Sequence, residues 1–484
     1  MRVGLVCGDG VPASGLLTIF RNVVDLGVEM RLLDAPVPAE LGYSWRPDKP
    51  AFFPYGPKST APSALLEPTE LAAPDLGDAA RAAAEWTGIR TSVACAAELG
   101  PAERSRLHQR IDQVAAQYHD YFLEWMRRTR VDWIIAVNMT LSDAVPVTKG
   151  LHSATRECHR ETGSGGVLFW DHDLFASCAV HDDDGTRMYP DRPNAFTPLP
   201  EIRAGVRWAV VSEALAEETA AYPVPERPRV VPNILPRVPT GPLEPRHERF
   251  LRDQDLDPAR PVLLNPVRVF RVKGVELALE LLAATRSAGV DRGHPAPYLL
   301  VFGSLAEDPG YADEVLSTAR RLDLLPDVRF LDGVPLCSVQ DAAGSWQLDE
   351  IDLLRIAAAA GGGVVFTPNT EDVETVGLGP ALAAVAGLPC ATTTYTAFAP
   401  VYGPDFSVIP VDPSQTGMRS AGAELVAALH ANRSGDLRMA DLLRRNREIV
   451  DRRFPTDPWA ELLTDLAAST EDRTLPRRRS PGDS

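Results

Sequence analysis

Val262-Leu263-Leu264-Asn265-Pro266-Val267-Arg268-Val269-Phe270-Arg271-Val272-Lys273-Gly274 decides the reading of the fold. It begins as a short, uninterrupted apolar run, the pattern of a strand buried on both faces. A proline stops the run. Arg268, Arg271 and Lys273 follow, and Gly274 opens the helical periodicity of Glu276–Ala288. Strand, basic turn and helix in that order is half of a parallel βαβ unit. The turn sets guanidinium and ammonium groups at the mouth of a strand. Fixed positive charge there stabilises a diphosphate as its bond to carbon breaks, and the dipole of the following helix adds to it.

The same alternation extends in both directions. Downstream, strands are expected at Tyr298–Phe302, Val328–Leu331, Val364–Thr367 and Ser407–Val411. Helices are expected between them at Ala312–Leu322, Leu348–Ala360 and Pro380–Ala386. Upstream, strands are expected at Arg2–Cys7, Asp132–Asn138, Gly166–Trp170, Ala209–Ser212 and Arg229–Val231. Between the two series, Asn233–His247 carries Pro236, Pro239, Pro242 and Pro245, a spacing no regular helix tolerates, and reads as a linker. With 484 residues the chain exceeds what one hydrophobic core usually holds. Two α/β halves with doubly wound parallel sheets result. Their ligand cleft faces the C-terminal ends of the strands. The segment Leu41–Thr69, with Tyr43, Trp45, Phe52, Phe53 and Tyr55, reads as a long loop, functional or disordered.

Composition narrows the function. A net charge of −17 argues against a nucleic-acid partner and weakens docking on anionic lipid. No stretch reaches the roughly 18–20 apolar residues that span a bilayer, so no stable membrane insertion is expected. The start, Met1 to Cys7, meets the polar Gly8-Asp9-Gly10 too early for a secretory leader and reads as the first strand of a cytoplasmic protein. The six cysteines form no C-x-x-C pair, which suits reduced thiols rather than a disulfide framework or zinc site. Only four lysines occur, Lys49, Lys58, Lys149 and Lys273, which singles out Lys273 within its turn.

Three further stretches carry chemistry. Pro368-Asn369-Thr370-Glu371-Asp372-Val373-Glu374-Thr375-Val376-Gly377-Leu378 follows a strand and runs on to Gly387-Leu388-Pro389. Val167-Leu168-Phe169-Trp170-Asp171-His172-Asp173 ends a buried strand in two acids around a histidine, at the sheet edge where such folds bind ligands. Gly8-Asp9-Gly10-Val11-Pro12-Ala13-Ser14-Gly15 is a glycine-bearing first turn, without the dinucleotide fingerprint, feeding a helix that contains Arg21.

Together these stretches resemble the retaining family 4 glycosyltransferases of the GT-B fold. Arg268, Lys273 and Gly274 match the family's G-R-x-x-x-x-K-G, with Val267 in place of its first glycine. Glu374, Gly377, Leu378, Gly387 and Pro389 match its P-S-x-x-E-x-F-G-L and E-A-M-A-x-G-x-P run, but Leu382 stands where the second glutamate, which grips the nucleotide's ribose, belongs. His172 matches the histidine found beside the anomeric centre there and in trehalose-phosphate synthases. Val211-Ser212-Glu213 and Val230-Val231-Pro232-Asn233 resemble the passage before the family's linker, and Arg453-Phe454 and Trp459 fall where its last helix crosses back.

The resemblance implies an acceptor domain over 1–240, a nucleotide-sugar donor domain over 241–445, a crossover helix over 446–470 and a disordered tail over 471–484. It implies retaining transfer of a hexose-type sugar without metal or other cofactor. His172, Arg268, Lys273 and Glu374 would be catalytic. Gly15, Gly303, Val376, Gly377 and Leu378 would bind the donor, with Glu371 or Asp372 open as substitutes for the missing glutamate. Asp173, Tyr43 and Trp45 would face the acceptor. The chain's acidity favours a soluble small-molecule acceptor, for example a cationic aminocyclitol. Two other classes stay open: a pseudo-glycosyltransferase joining a nucleotide-linked cyclitol, and a non-catalytic nucleotide-sugar sensor. His181-Asp182-Asp183-Asp184-Gly185 offers a D-x-D as in metal-dependent transferases, but Asp184-Gly185 reads as a hairpin turn. Oligomeric state is left open.

Overall fold

The computed structural model describes residues 1–10, 15–43, 45, 65–175, 189–190, 192–224, 226–368 and 374–471. Phe52, Phe53 and Tyr55, the D-x-D acids, Glu371, Asp372 and the expected tail beyond 471 lie outside the described residues.

The first sheet is built from β1 (Val3–Cys7), β2 (Val37–Glu40), β3 (Leu66–Pro68), β4 (Trp133–Val137), β5 (Gly166–Asp171), β6 (Val206–Val210) and β7 (Arg229–Val230). They pair in the order β3-β2-β1-β4-β5-β6-β7, every pair parallel. The second sheet follows from β8 (Val262–Asn265), β9 (Tyr298–Val301) and β10 (Val328–Phe330). After a two-stranded hairpin of β11 (Val339–Gln340) and β12 (Trp346–Gln347) come β13 (Gly363–Phe366), β14 (Cys390–Thr393) and β15 (Ile409–Val411). Its order is β10-β9-β8-β13-β14-β15, again all parallel. Runs such as Trp133-Ile134-Ile135-Ala136-Val137 are buried at every position because helices cover both faces. In each sheet the order reverses beside the first strand, between β1 and β4 and between β8 and β13. A crevice opens at such a switch point, outside the strand ends.

Two details differ from expectation, each for a local reason. The strand expected at Ala209–Ser212 lies earlier, at Val206–Val210, because the Ser212 hydroxyl caps the next helix by accepting from Leu215 N at 3.3 Å. The proline-rich connection ends before His247. Pro245 occupies the first turn of a helix, Pro245–Asp253, where its missing N–H costs nothing. His247 is wholly buried there and meets Asp352 at 2.9 Å.

The chain then returns to its first half. Helices Leu437–Arg453 and Asp457–Glu471 follow the second sheet. The latter packs against helix Gly15–Glu29 and sinks Trp459, Leu462, Leu463 and Leu466 into the first domain's core. Trp459 meets Trp170 edge-on, ring centroids 4.6 Å apart. Among the described residues, no helix is long and apolar enough to cross a membrane.

Candidate active site

The basic turn is held from beneath. Asn265, the last residue of β8, donates from its side chain to Val365 O at 2.8 Å and so ties β8 to β13. Arg271–Lys273 forms one tight helical turn. Gly274 then takes a left-handed φ of 58° to enter the helix Val275–Val290. The first amide of that helix is not presented to a ligand: Val275 N donates to the Tyr311 hydroxyl at 2.8 Å, and that hydroxyl donates to Glu276. Positive charge in this turn therefore comes from the side chains. Lys273 Nζ contacts the Glu374 carboxylate, which the short connection after β13 brings alongside. Arg268 donates to Glu307 at 3.0 Å, lies 3.7 Å from Asp9 of the first domain, and stacks over Phe270 at 4.7 Å.

Gly303 serves this turn rather than the cleft surface. A β-carbon on it would lie 2.5 Å from Val269 N and 2.7 Å from Arg268 Cα, so the Arg268 backbone can run across the end of β9 only over a glycine. Gly377 is held comparably. Its φ is 67°, and its carbonyl accepts from the buried hydroxyls of Tyr395 at 3.1 Å and Tyr402 at 2.6 Å. Val376, Gly377 and Leu378 line the cleft, as does Gly15 across from them.

The opposite wall is organised by two asparagines. Asn138 follows β4 with φ 53°, a conformation asparagine tolerates better than most residues. Its side-chain oxygen accepts from His172 N at 2.7 Å and Asp173 N at 3.2 Å, and its Nδ2 donates to Asp173 Oδ2 at 3.1 Å. Asn233 Oδ1 lies 2.9 Å from His172 Nε2. With the amide oxygen facing the ring, the neutral imidazole holds its proton on Nε2. His172 Nδ1 is buried, with no hydrogen-bond partner among the described residues. Burial holds the His172 pKa down to about 4. Burial likewise pushes Asp173 up to about 6, against the opposing pull of Lys273 and the Asn138 amide. Asp171 points away from the cleft: it is fully buried, accepts from Trp208 Nε1 at 2.8 Å, and is pushed up to about 7.

His172 and Asp173 from the first domain thus share one cleft of about 360 Å³ with Arg268, Lys273 and Glu374 from the second. Lys273 and Glu374 are strong enough electrostatic neighbours of Asp173 to shift it, across the domain boundary. The expected acceptor residues divide. Tyr43 is half-buried against the first domain's core. Trp45 is a core side chain, 1% exposed and packed on Tyr118 and Phe122 at 6.4 and 6.3 Å, so its ring offers no stacking surface. Sequence reasoning did not single out Asn138, Glu307, Tyr395 or Tyr402. Asn138 carried one usable signal, an asparagine at the end of a buried strand.

No known family model matches the chain, and no curated protein resembles it in sequence. Its likeness is structural. A sucrose-phosphate synthase from Thermosynechococcus elongatus aligns over 98% of this chain and 100% of its own, with a TM-score of 0.57 at 14% identity. Anabaena HepE, solved with UDP-glucose, aligns over 97% and 100%, with a TM-score of 0.55 at 13% identity. A glycosyltransferase from Rickettsia africae aligns over 99% of both chains, with a TM-score of 0.53 at 13% identity. The chain therefore has the GT-B fold: two parallel-sheet α/β domains facing each other across a cleft, with a last helix crossing back.

Proposed function

We propose that this protein is a glycosyltransferase that moves a hexose-type sugar from a nucleotide-sugar donor to a soluble small-molecule acceptor, with retention of anomeric configuration and without a metal. One observation carries the reading. The Arg268 and Lys273 cations and the neutral His172 face a single cleft from opposite domains, beyond the C-terminal ends of β8 and β5.

In this reading the donor's diphosphate lies against the basic turn. The bond between the anomeric carbon and its phosphate oxygen breaks, and Arg268 and Lys273 take up the negative charge that develops. Glu374 fixes Lys273 and accepts hydrogen bonds from sugar hydroxyls. His172 helps place the anomeric carbon, where an oxocarbenium-like centre forms. The acceptor hydroxyl bonds to that carbon and its proton passes to the departing phosphate. Asp173, half-buried beside this point, orients the acceptor. The fold of HepE, a protein solved with UDP-glucose, supports a nucleotide-linked donor.

The test joins binding to turnover. Purified protein is heated with UDP, GDP, ADP and dTDP and their sugars, and each donor's consumption is followed. One nucleotide should raise the melting temperature, and its sugar should be slowly hydrolysed without acceptor. Stabilisation without any turnover of the sugar, with or without candidate acceptors, would leave a sensor rather than an enzyme. Proton NMR of the product's anomeric centre checks retention.

A further inference from the structure

The cleft contains a carboxylate that the proposed chemistry leaves unused. Asp9, Asp173, Glu350 and Glu374 all line it. Three of these belong to one electrostatic neighbourhood. Asp9 lies near Arg268 and His172, Asp173 faces Lys273, and Glu374 contacts Lys273. Glu350 stands apart: the charges that act on it are those of Arg21 and Asp349.

Glu350 begins the helix Glu350–Ala359, which packs against helix Gly379–Ala386 carrying Leu382. Both side chains line the same wall. The Glu350 side chain is 10% exposed, and its carboxylate accepts no hydrogen bond from any described residue. Its nearest cation, Arg21 of the first domain, is 3.8 Å away and already donates to Leu336 O at 3.0 Å. A nearly buried carboxylate to which no described residue donates offers its acceptors to whatever enters the cleft. Burial also raises its pKa to about 6, so it is largely ionised at neutral pH.

The ligand chemistry follows from the surroundings. A second phosphate is disfavoured beside Glu350 and its like-charged neighbour Asp349. A neutral group donating two adjacent hydroxyls matches the two oxygens of a carboxylate, which is how acids in other nucleotide-binding α/β folds hold a ribose. Building on the donor reading above, we infer that Glu350 binds the ribose diol of the donor nucleoside, from the helix beside the one on which Leu382 lies. The cleft then has two polar ends, one for phosphate and sugar and one for ribose.

Calorimetric titration of the full chain with UDP, GDP and ADP, and with the 2′-deoxy form of each, tests this. Wild type should bind its preferred ribonucleotide about 10- to 100-fold tighter than the deoxy form, the scale of one hydrogen bond to a charged group. Glu350→Gln should bring the two within about three-fold while leaving the deoxy affinity near wild type. Lys273→Ala should weaken both forms and keep their ratio. Equal binding of both forms by wild type, which needs no variant, overturns the inference, as does a wild-type ratio in Glu350→Gln. Either result leaves the donor reading standing. Failure of wild type to bind any nucleotide removes that reading, and the role of Glu350 with it.

Discussion

The two sheets share a strand order through their first six strands, yet they deliver opposite chemistry to the same cleft. The second presents cations braced by carboxylates: Lys273 by Glu374, and Arg268 by Glu307. The first presents desolvated groups braced by neutral amides: His172 by Asn233, and Asp173 by Asn138. The difference is one of preorganisation. A cation held by acids is already in position and can exchange them for phosphate. A histidine and an aspartate held by amides stay close to the protonation states that burial imposes. Topology supplies the place, burial sets the charge states of His172 and Asp173, and the partners hold each side chain in position.

The largest expected effect lies in the support of the first half. Trp459→Ala removes a fully buried ring from against Trp170, whose other neighbour is the His172 ring at 4.4 Å. Urea denaturation should show a loss of about 3–5 kcal/mol. A loss below about 1 kcal/mol would mean the returning helix does not brace this wall. On the second half, Lys273→Ala should lower turnover by about 10²–10³, the scale of one charge-stabilising group. Near-parental turnover would break the comparison at its cationic side. Asn138→Ala should cost about 1–3 kcal/mol in stability, because it strips acceptors from two backbone amides at once. Its turnover should fall as well, and a variant as stable as the parent would show that water replaces the amide.

The smallest effect is the most diagnostic. Asp173 keeps its proton up to about pH 6 in the fold, whereas an unfolded aspartate loses it near 4. This group therefore favours the folded state below pH 4, and that contribution is lost as pH rises through 6. His172 runs the other way. Its contribution is present above pH 6.5 and lost as pH falls through 4. If ionised Asp173 orients the acceptor, kcat/KM should climb about five-fold between pH 5 and 6. Asp173→Asn should flatten that limb. A limb that persists in the variant belongs to another group.

Much of the second half was legible in sequence because its signals are local. β8 came out with its observed ends, and Lys273 and Glu374 each lie in the connection that follows a strand. That they touch across 101 residues follows from β8 and β13 being neighbours at a switch point. The missed strands lack the aliphatic run that marks a buried strand. β2 reads Val-Pro-Ala-Glu and β14 reads Cys-Ala-Thr-Thr, and both are buried by their neighbours instead. Trp45 was misjudged because an aromatic, proline-rich stretch has the same composition whether its rings face a ligand or a core. Asn138 was hidden differently, and Asn233 was legible only as part of a motif, without its role. An amide that only holds other residues carries no charge to draw notice, and its role appears only once both strand ends stand side by side.

The returning helix has a consequence for how the protein is made. Residues 457–471 supply part of the core around β5, yet they follow β7 by more than two hundred residues. At usual synthesis rates, ten seconds to about a minute passes between them. Throughout that interval the nascent first domain exposes the apolar cleft that Trp459 will fill. It would wait unfinished, a natural client for a chaperone, until its own chain supplies the missing wall.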